Sequence, residues 1–212
     1  MNTSANNNSS LEQFYSEWSN KDNKFFNHDL KSAERKFEVI YPKVKKYLEN
    51  ERGSIIDYGC GFGTFLSCSS KKNLFQNYYG FDYSENAIKY AKSNYNNNRI
   101  KFNQLRTLDS LENISFIKEI IKPLSKVNVV ALIDLLEHVP DCSILVHELA
   151  SITQYFLIKL PIENSVFDNY FINKQYPGLA HSNGHVREFT VNNVYYFIRK
   201  LGLNPVVEYI YI

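Results

Sequence analysis

The sequence predicts a doubly wound α/β fold: a mostly parallel sheet with helices on both faces, an N-terminal helical cap, and a C-terminal end where either the sheet is one strand short or the chain is a fragment. Three observations predict it. Short apolar runs alternate with segments of helical periodicity from residue 53 onward. The run Val127 to Ile133 is almost wholly apolar, as a strand covered on both faces must be. A glycine-rich turn, Asp57-Tyr58-Gly59-Cys60-Gly61-Phe62-Gly63, follows the first short strand directly. Strands separated by helices imply βαβ units with right-handed crossovers.

Residues 1–10 are Asn- and Ser-rich, with no apolar core, and read as a disordered tail. Residues 11–52 read as a helical cap. From Leu30 its apolar face carries Phe37, Ile40, Tyr41, Val44 and Leu48. Pro42 should kink this helix or start a second one, and Gly53 should end it. Ser54 to Asp57 is the first strand, and a helix starts at Thr64. Tyr78 to Phe81 is a strand ending at Asp82. Ser84 caps the helix carrying Ala87, Ile88, Ala91 and Tyr95. Ile100 to Asn103 is the third strand. Leu111, Ile114, Ile117, Ile121 and Leu124 form a helical stripe, and Val127 to Ile133 is the fourth strand. Pro140 and Asp141 suit a first helical turn, with Ile144, Leu145, Leu149 and Ile152 as that helix's buried face. Tyr155 to Leu160 is the fifth strand. Thr190 caps a helix bearing Val191, Val194, Tyr195, Ile198 and Leu201, and Gly202 stops it. Pro205 to Ile212 reads as a last strand.

The chain has 212 residues, 44% hydrophobic and 22% charged, with a net charge of +2. That is the balance of a soluble globular protein, without the broad basic field that attracts nucleic acid. No stretch approaches the roughly 20 apolar residues of a membrane span. The 3 cysteines form no Cys-x-x-Cys pair, which fits a reducing cytoplasm better than a disulfide framework.

The glycine loop carries the chemistry. Glycine permits a tight turn and close backbone approach to a ligand. The helix that follows offers free N–H groups and a partial positive charge, which suit a carboxylate as well as a phosphate. Asp57 places a negative charge beside the loop, which suits an ammonium and repels a pyrophosphate. The third glycine, Gly63, also comes one position earlier than in the Gly-x-Gly-x-x-Gly of dinucleotide folds. Both points favour S-adenosyl-L-methionine as the cofactor. Asp82, at the second strand end, can accept both hydroxyls of a ribose. Tyr83 beside it either packs on the adenine or lies on the surface.

Asp57 to Gly63, Phe81 to Ser84, and Ala131 to Asp141 with its Leu136-Glu137-His138-Val139 element together resemble the class I S-adenosylmethionine-dependent methyltransferases, which have a Rossmann-like sheet. The likeness covers residues 53–212 and is strongest to the small-molecule branch that includes ubiquinone-type and sugar O-methyltransferases. It implies that Gly59 and Gly61 lie along the methionine portion and Asp82 on the ribose. Gln104 and Leu105 would flank the adenine, and Asp134 and Leu135 would border the methionine end and the transferred methyl. An acidic residue often stands in the family at the position of Gln104, whose amide carbonyl can accept the same hydrogen bond.

Glu137 either bonds loop amides or touches the reaction centre. His138 either caps the next helix or does the same. Gly184 to Thr190 resembles a His-x-Arg-x-Phe-Thr stretch of small-molecule methyltransferases. In it His185 is either the general base or a pin holding a lid, residues 164–190, to the next helix. His181 and His185 are four apart, but Asn183-Gly184 between them argues for a turn, so no metal site is expected. The expected reaction is methyl transfer to a small-molecule acceptor, a hydroxyl of a sugar or of a quinone or lipid precursor. The absence of an Asn-Pro-Pro-Tyr-like tetrad after the fourth strand argues against base-methylating enzymes of nucleic acid. Two rivals are an inactive binding or regulatory protein of the same fold and, with less support, a protein methyltransferase. The family usually has two strands after the last helix, so either the sheet is one strand short or the chain is a fragment. An exposed C-terminal edge strand would suit a homodimer.

Overall fold

The computed structural model describes residues 26–48, 53–106, 110–124, 127–162 and 185–206. Its elements are α1 (Phe26–Leu48), β1 (Ser54–Tyr58), α2 (Thr64–Lys71), β2 (Asn77–Asp82), α3 (Glu85–Tyr95) and β3 (Ile100–Gln104). They continue with α4 (Ser110–Ile121), a 3-10 turn (Lys122–Leu124), β4 (Val127–Ile133), α5 (Cys142–Ala150), β5 (Thr153–Lys159) and α6 (Val191–Lys200). The described strands form one sheet in the order β3-β2-β1-β4-β5, with every pair parallel. The chain builds outward from β1 in one direction, then crosses back to lay β4 on its other side. A crevice therefore opens at the carboxyl ends of β1 and β4, where such sheets hold ligands.

Strand periodicity divides the core. Ile55, Tyr78, Phe102 and Val129 face one layer, where they meet Phe37 and Ile40 of α1, Phe65 and Leu66 of α2, and Ile88 and Ala91 of α3. Ile56, Phe81, Val130 and Leu132 face the other, against Ile114, Ile117 and Ile121 of α4 and Leu145, Val146 and Leu149 of α5. Successive residues such as Ile55 and Ile56 point to opposite faces. Each fully buried side chain of this size contributes about 1.5–3 kcal/mol.

The structure departs from expectation in α5 and α6. At Pro42 one helix runs through and no second one starts. Phe37, Ile40, Tyr41 and Val44, on both sides of the proline, pack on the same cluster, so burial outweighs the lost backbone bond. Asp141 lies outside α5 as its N-cap, accepting from the Ile144 N–H at 3.3 Å. That start leaves Ile144 45% exposed, and Cys142 and Val146 join Leu145 and Leu149 on the buried face. Thr190 caps α6 in a reciprocal box with Asn193, as the sequence suggests. The helix, however, packs through Phe197 and Leu201, while Val191 and Tyr195 are exposed. Finally, Pro205 and Val206 belong to no strand, and 207–212 lie outside the described residues. So do residues 1–25, with the expected tail and the first part of the cap, and residues 163–184, with most of the expected lid.

Candidate active site

The glycine loop is tied to the neighbouring strand. The N–H groups of Gly59 and Cys60 both donate to the Phe81 carbonyl, at 2.7 and 3.0 Å. Gly59, Gly61 and Gly63 all have positive φ, at 81°, 50° and 78°. Their surroundings separate their roles. A Cβ at Gly59 would stand 2.8 Å from a Leu135 methyl, and one at Gly63 would stand 2.6 Å from the Phe102 ring. These two glycines let the loop pack against β4's exit and against the sheet. At Gly61 a Cβ would meet nothing within 4 Å, so that backbone faces open space. Beyond it, α2 begins at Gly63 with no side-chain cap, leaving its N-terminal amides to a ligand.

Two carboxylates flank this cradle. Asp57 is 2% exposed and its Oδ1 has no hydrogen-bond partner. Burial, reinforced by the charge of Asp82, pushes its carboxyl up to about 8. Asp82 accepts the Gly61 N–H on Oδ2 at 2.7 Å and the Ser84 N–H on Oδ1 at 2.8 Å. Burial also raises the Asp82 carboxyl, against the opposing effect of these backbone bonds. Asp82 thus orders the glycine loop as well as ending β2, a role its position in the sequence does not disclose.

The tips of β2 and β3 stand together, Asp82 in register with Gln104. The Gln104 amide donates to the Tyr83 carbonyl at 3.3 Å, and the Leu105 N–H donates to the Asp82 carbonyl at 2.8 Å. Gln104 is exposed and Leu105 buried, so the pair presents a polar and an apolar edge.

Asp134 leaves β4 with φ 48°, in the left-handed region, and forms ion pairs with two lysines. Lys36 of α1 approaches Oδ2 at 2.6 Å, and Lys159 at the end of β5 bonds Oδ1. Sequence reasoning missed both. Lys159 could have been found as a cation at a strand tip; Lys36 carries no such signal. Leu135 follows, with its side chain against Gly59.

Beyond it, the structure brings Glu137, His138 and His185 together, one ligand-capable atom of each lying within 4.8 Å of the others. Glu137 is 1% exposed, and the two imidazoles meet edge to face with centroids 4.7 Å apart. Two anchors hold residue 185 here. The Val186 N–H donates to the Glu137 carbonyl at 2.8 Å. Arg187 donates to the carbonyls of Leu136, Val139 and Pro140. His181, the alternative partner of His185 by spacing, lies outside the described residues.

A parallel α/β sheet with a glycine loop after β1 and an acidic residue at the tip of β2 defines a Rossmann-like methyltransferase. A sequence profile described as a methyltransferase domain matches residues 32–208, and the chain belongs to that family. It is an S-adenosylmethionine-dependent methyltransferase. No curated protein matches it. Among solved structures it is similar to an S-adenosylmethionine-dependent methyltransferase from Anabaena variabilis, with 18% identity and a TM-score of 0.61 over 90% of this chain and 79% of that one. It is also similar to magnesium protoporphyrin IX methyltransferase from Synechocystis with S-adenosylhomocysteine bound, with 14% identity and a TM-score of 0.59 over 92% and 84%. At these identities the likeness concerns the fold. Among the described residues no helix is long and apolar enough to cross a membrane.

Proposed function

We propose that this chain methylates a hydroxyl of a small molecule, such as a sugar or a quinone or lipid precursor. The observation carrying this reading is the cluster Glu137, His138 and His185. It follows Leu135, which itself touches the glycine loop at Gly59. Titratable groups therefore stand beside the donor cradle, where an acceptor hydroxyl must be activated.

When bound, S-adenosylmethionine supplies an electrophilic methyl on a sulfonium. The chain's residues do the rest. Gly59 and Gly61 let the backbone approach the methionine portion, and the α2 N-terminus receives its carboxylate. Asp57 faces its ammonium. Asp82 meets the ribose hydroxyls with the acceptor capacity left beyond its bonds to the Gly61, Ser84 and Tyr83 N–H groups. Tyr83, Gln104 and Leu105 border the adenine. Asp134 and Leu135 border the methyl end. His185, with His138 against it, takes up the acceptor's proton on a ring nitrogen. Lys36 of α1 pairs with Asp134 beside the methyl end, which supports a role for that helix in bounding the acceptor. A net charge of +2 suits a small acceptor rather than a nucleic acid.

The test is incubation with methyl-labelled S-adenosylmethionine and a small-molecule extract, followed by fractionation. Label should enter a small molecule as a base-stable ether. Label found in protein or nucleic acid, or none transferred, defeats the reading.

A further inference from the structure

We propose that Glu137, His138 and His185 bind a divalent first-row transition metal ion that receives the acceptor's oxygen. The inference rests on the acceptor class proposed above and changes the means of activation: His185 becomes a metal ligand in place of the base.

The donor set is two imidazoles and a carboxylate, each offering one atom within 4.8 Å of the others. Metal–nitrogen and metal–oxygen bonds of about 2.0–2.2 Å set ligand atoms no more than about 4.4 Å apart, so a small rotation of these side chains closes the three atoms on one ion. Imidazole suits zinc, iron, cobalt and nickel, whereas magnesium and calcium favour all-oxygen sites. Three protein ligands leave coordination positions open, as catalytic sites require and structural sites do not.

The scaffold is built to hold this geometry. Glu137 and His138 are neighbours in the loop leaving β4, so their relative position is set by one short backbone segment. His185 comes from a distant part of the chain and is fixed onto that loop by the bonds of Val186 and Arg187. Each of those residues bonds the backbone of the 136–140 segment, so a ligand from one segment is registered on ligands from the other. Functional sites that work have their ligands positioned in this way by neighbouring bonds. Glu137 is 1% exposed, and buried carboxylates that remain ionised are paired, hydrogen-bonded or metal-bound.

Placed here, a cation changes how the hydroxyl is activated. Its charge lowers the pKa of a bound O–H, so the proton leaves to solvent near neutral pH rather than to His185. The oxygen's electron pair then forms the new C–O bond as the sulfonium's S–C bond breaks. The sulfonium departs as a neutral thioether. Acceptors with a second oxygen beside the reacting hydroxyl, able to take two open positions, are the class favoured.

The test is titration of the full chain with cobalt(II), followed by its visible absorption bands. In parallel, S-adenosylmethionine affinity is measured by calorimetry. The expected result is saturable binding of a single cobalt ion per chain. His185→Asn, His138→Asn and Glu137→Gln should each weaken it by more than the roughly 10–100-fold that losing an outer-shell partner costs. Cofactor affinity and thermal midpoint should stay close to those of the parent. The partly exposed His185 and the isosteric Glu137→Gln keep the comparison valid if another variant folds poorly. Absence of cobalt binding by the parent chain, or equal binding by the folded variants, overturns the metal site while leaving the methyltransfer reading intact. Cobalt binding without label transfer to a small molecule does the reverse.

Discussion

Asp57, one residue before the end of β1, and Asp82, at the end of β2, stand on neighbouring parallel strands, and the charge on Asp82 adds to burial in holding the Asp57 carboxyl at about 8. An ordinary Asp titrates near ~3.9. Between these values the folded protein binds a proton that the unfolded chain has released, so stability falls as pH rises from about 4 to about 8. Denaturant midpoints across this window should decline, and Asp57→Asn should flatten the decline.

The same carboxyl should couple cofactor binding to proton release. An ammonium beside Asp57 favours its ionised form, so affinity should strengthen as pH rises toward about 8. Calorimetry in buffers of different ionisation heat should detect the released proton. An unchanged proton count in Asp57→Asn would show that the proton comes from elsewhere.

Gly61 and Gly63 should fail in different ways. Gly63→Ala forces a methyl to 2.6 Å from Phe102 at a φ of 78°. Overpacking costs about 1–3 kcal/mol and the left-handed backbone about 1–2 kcal/mol more. The loss should appear as a lowered denaturation midpoint. Gly61→Arg meets no atom within 4 Å at its Cβ, so only the backbone strain bears on folding, while the side chain fills the cradle. Cofactor binding should vanish from a protein that still folds.

Asp82→Ala removes the acceptor for the Gly61 and Ser84 amides as well as the proposed ribose contact. Hydrogen bonds to charged groups contribute about 1.5–3 kcal/mol each. Cofactor affinity should fall by at least about tenfold for the first such bond lost, and Asp82→Asn should recover part of it through its remaining carbonyl. Calorimetry on the two variants gives the order.

Arg187→Lys keeps the charge but loses the planar fork that reaches Leu136, Val139 and Pro140. Turnover should drop through misplacement of His185, with cofactor affinity nearly unchanged. An equal loss in both would place Arg187 in cofactor binding instead.

The sheet was legible because its cause is local. Ile55-Ile56 and Val129-Val130 signal strands covered on both sides, and the glycine spacing marks the first turn. The helix faces at Ile144 and Tyr195 were misread because single-residue shifts in a cap rotate a face, and periodicity alone does not set the cap. The meeting of Asp57, Gly61 and Asp82 at the strand tips was readable from their spacing. The acceptor side was not. His185 meets Glu137 through contacts between segments about fifty residues apart, which Arg187 secures at separations of 48 and 47 residues. No spacing rule encodes that closure. The Lys36–Asp134 pair depends likewise on how α1 lies on the sheet.

Leu135 occupies the space that any side chain at position 59 would need. The glycine loop and the loop that carries Glu137 and His138 are therefore two sides of one contact. Under the proposed function, enlarging position 59 displaces the proposed acceptor groups, and trimming Leu135 loosens the proposed donor seat. Redesign of this enzyme for a new acceptor has to treat Gly59 and Leu135 as a matched pair and change them together.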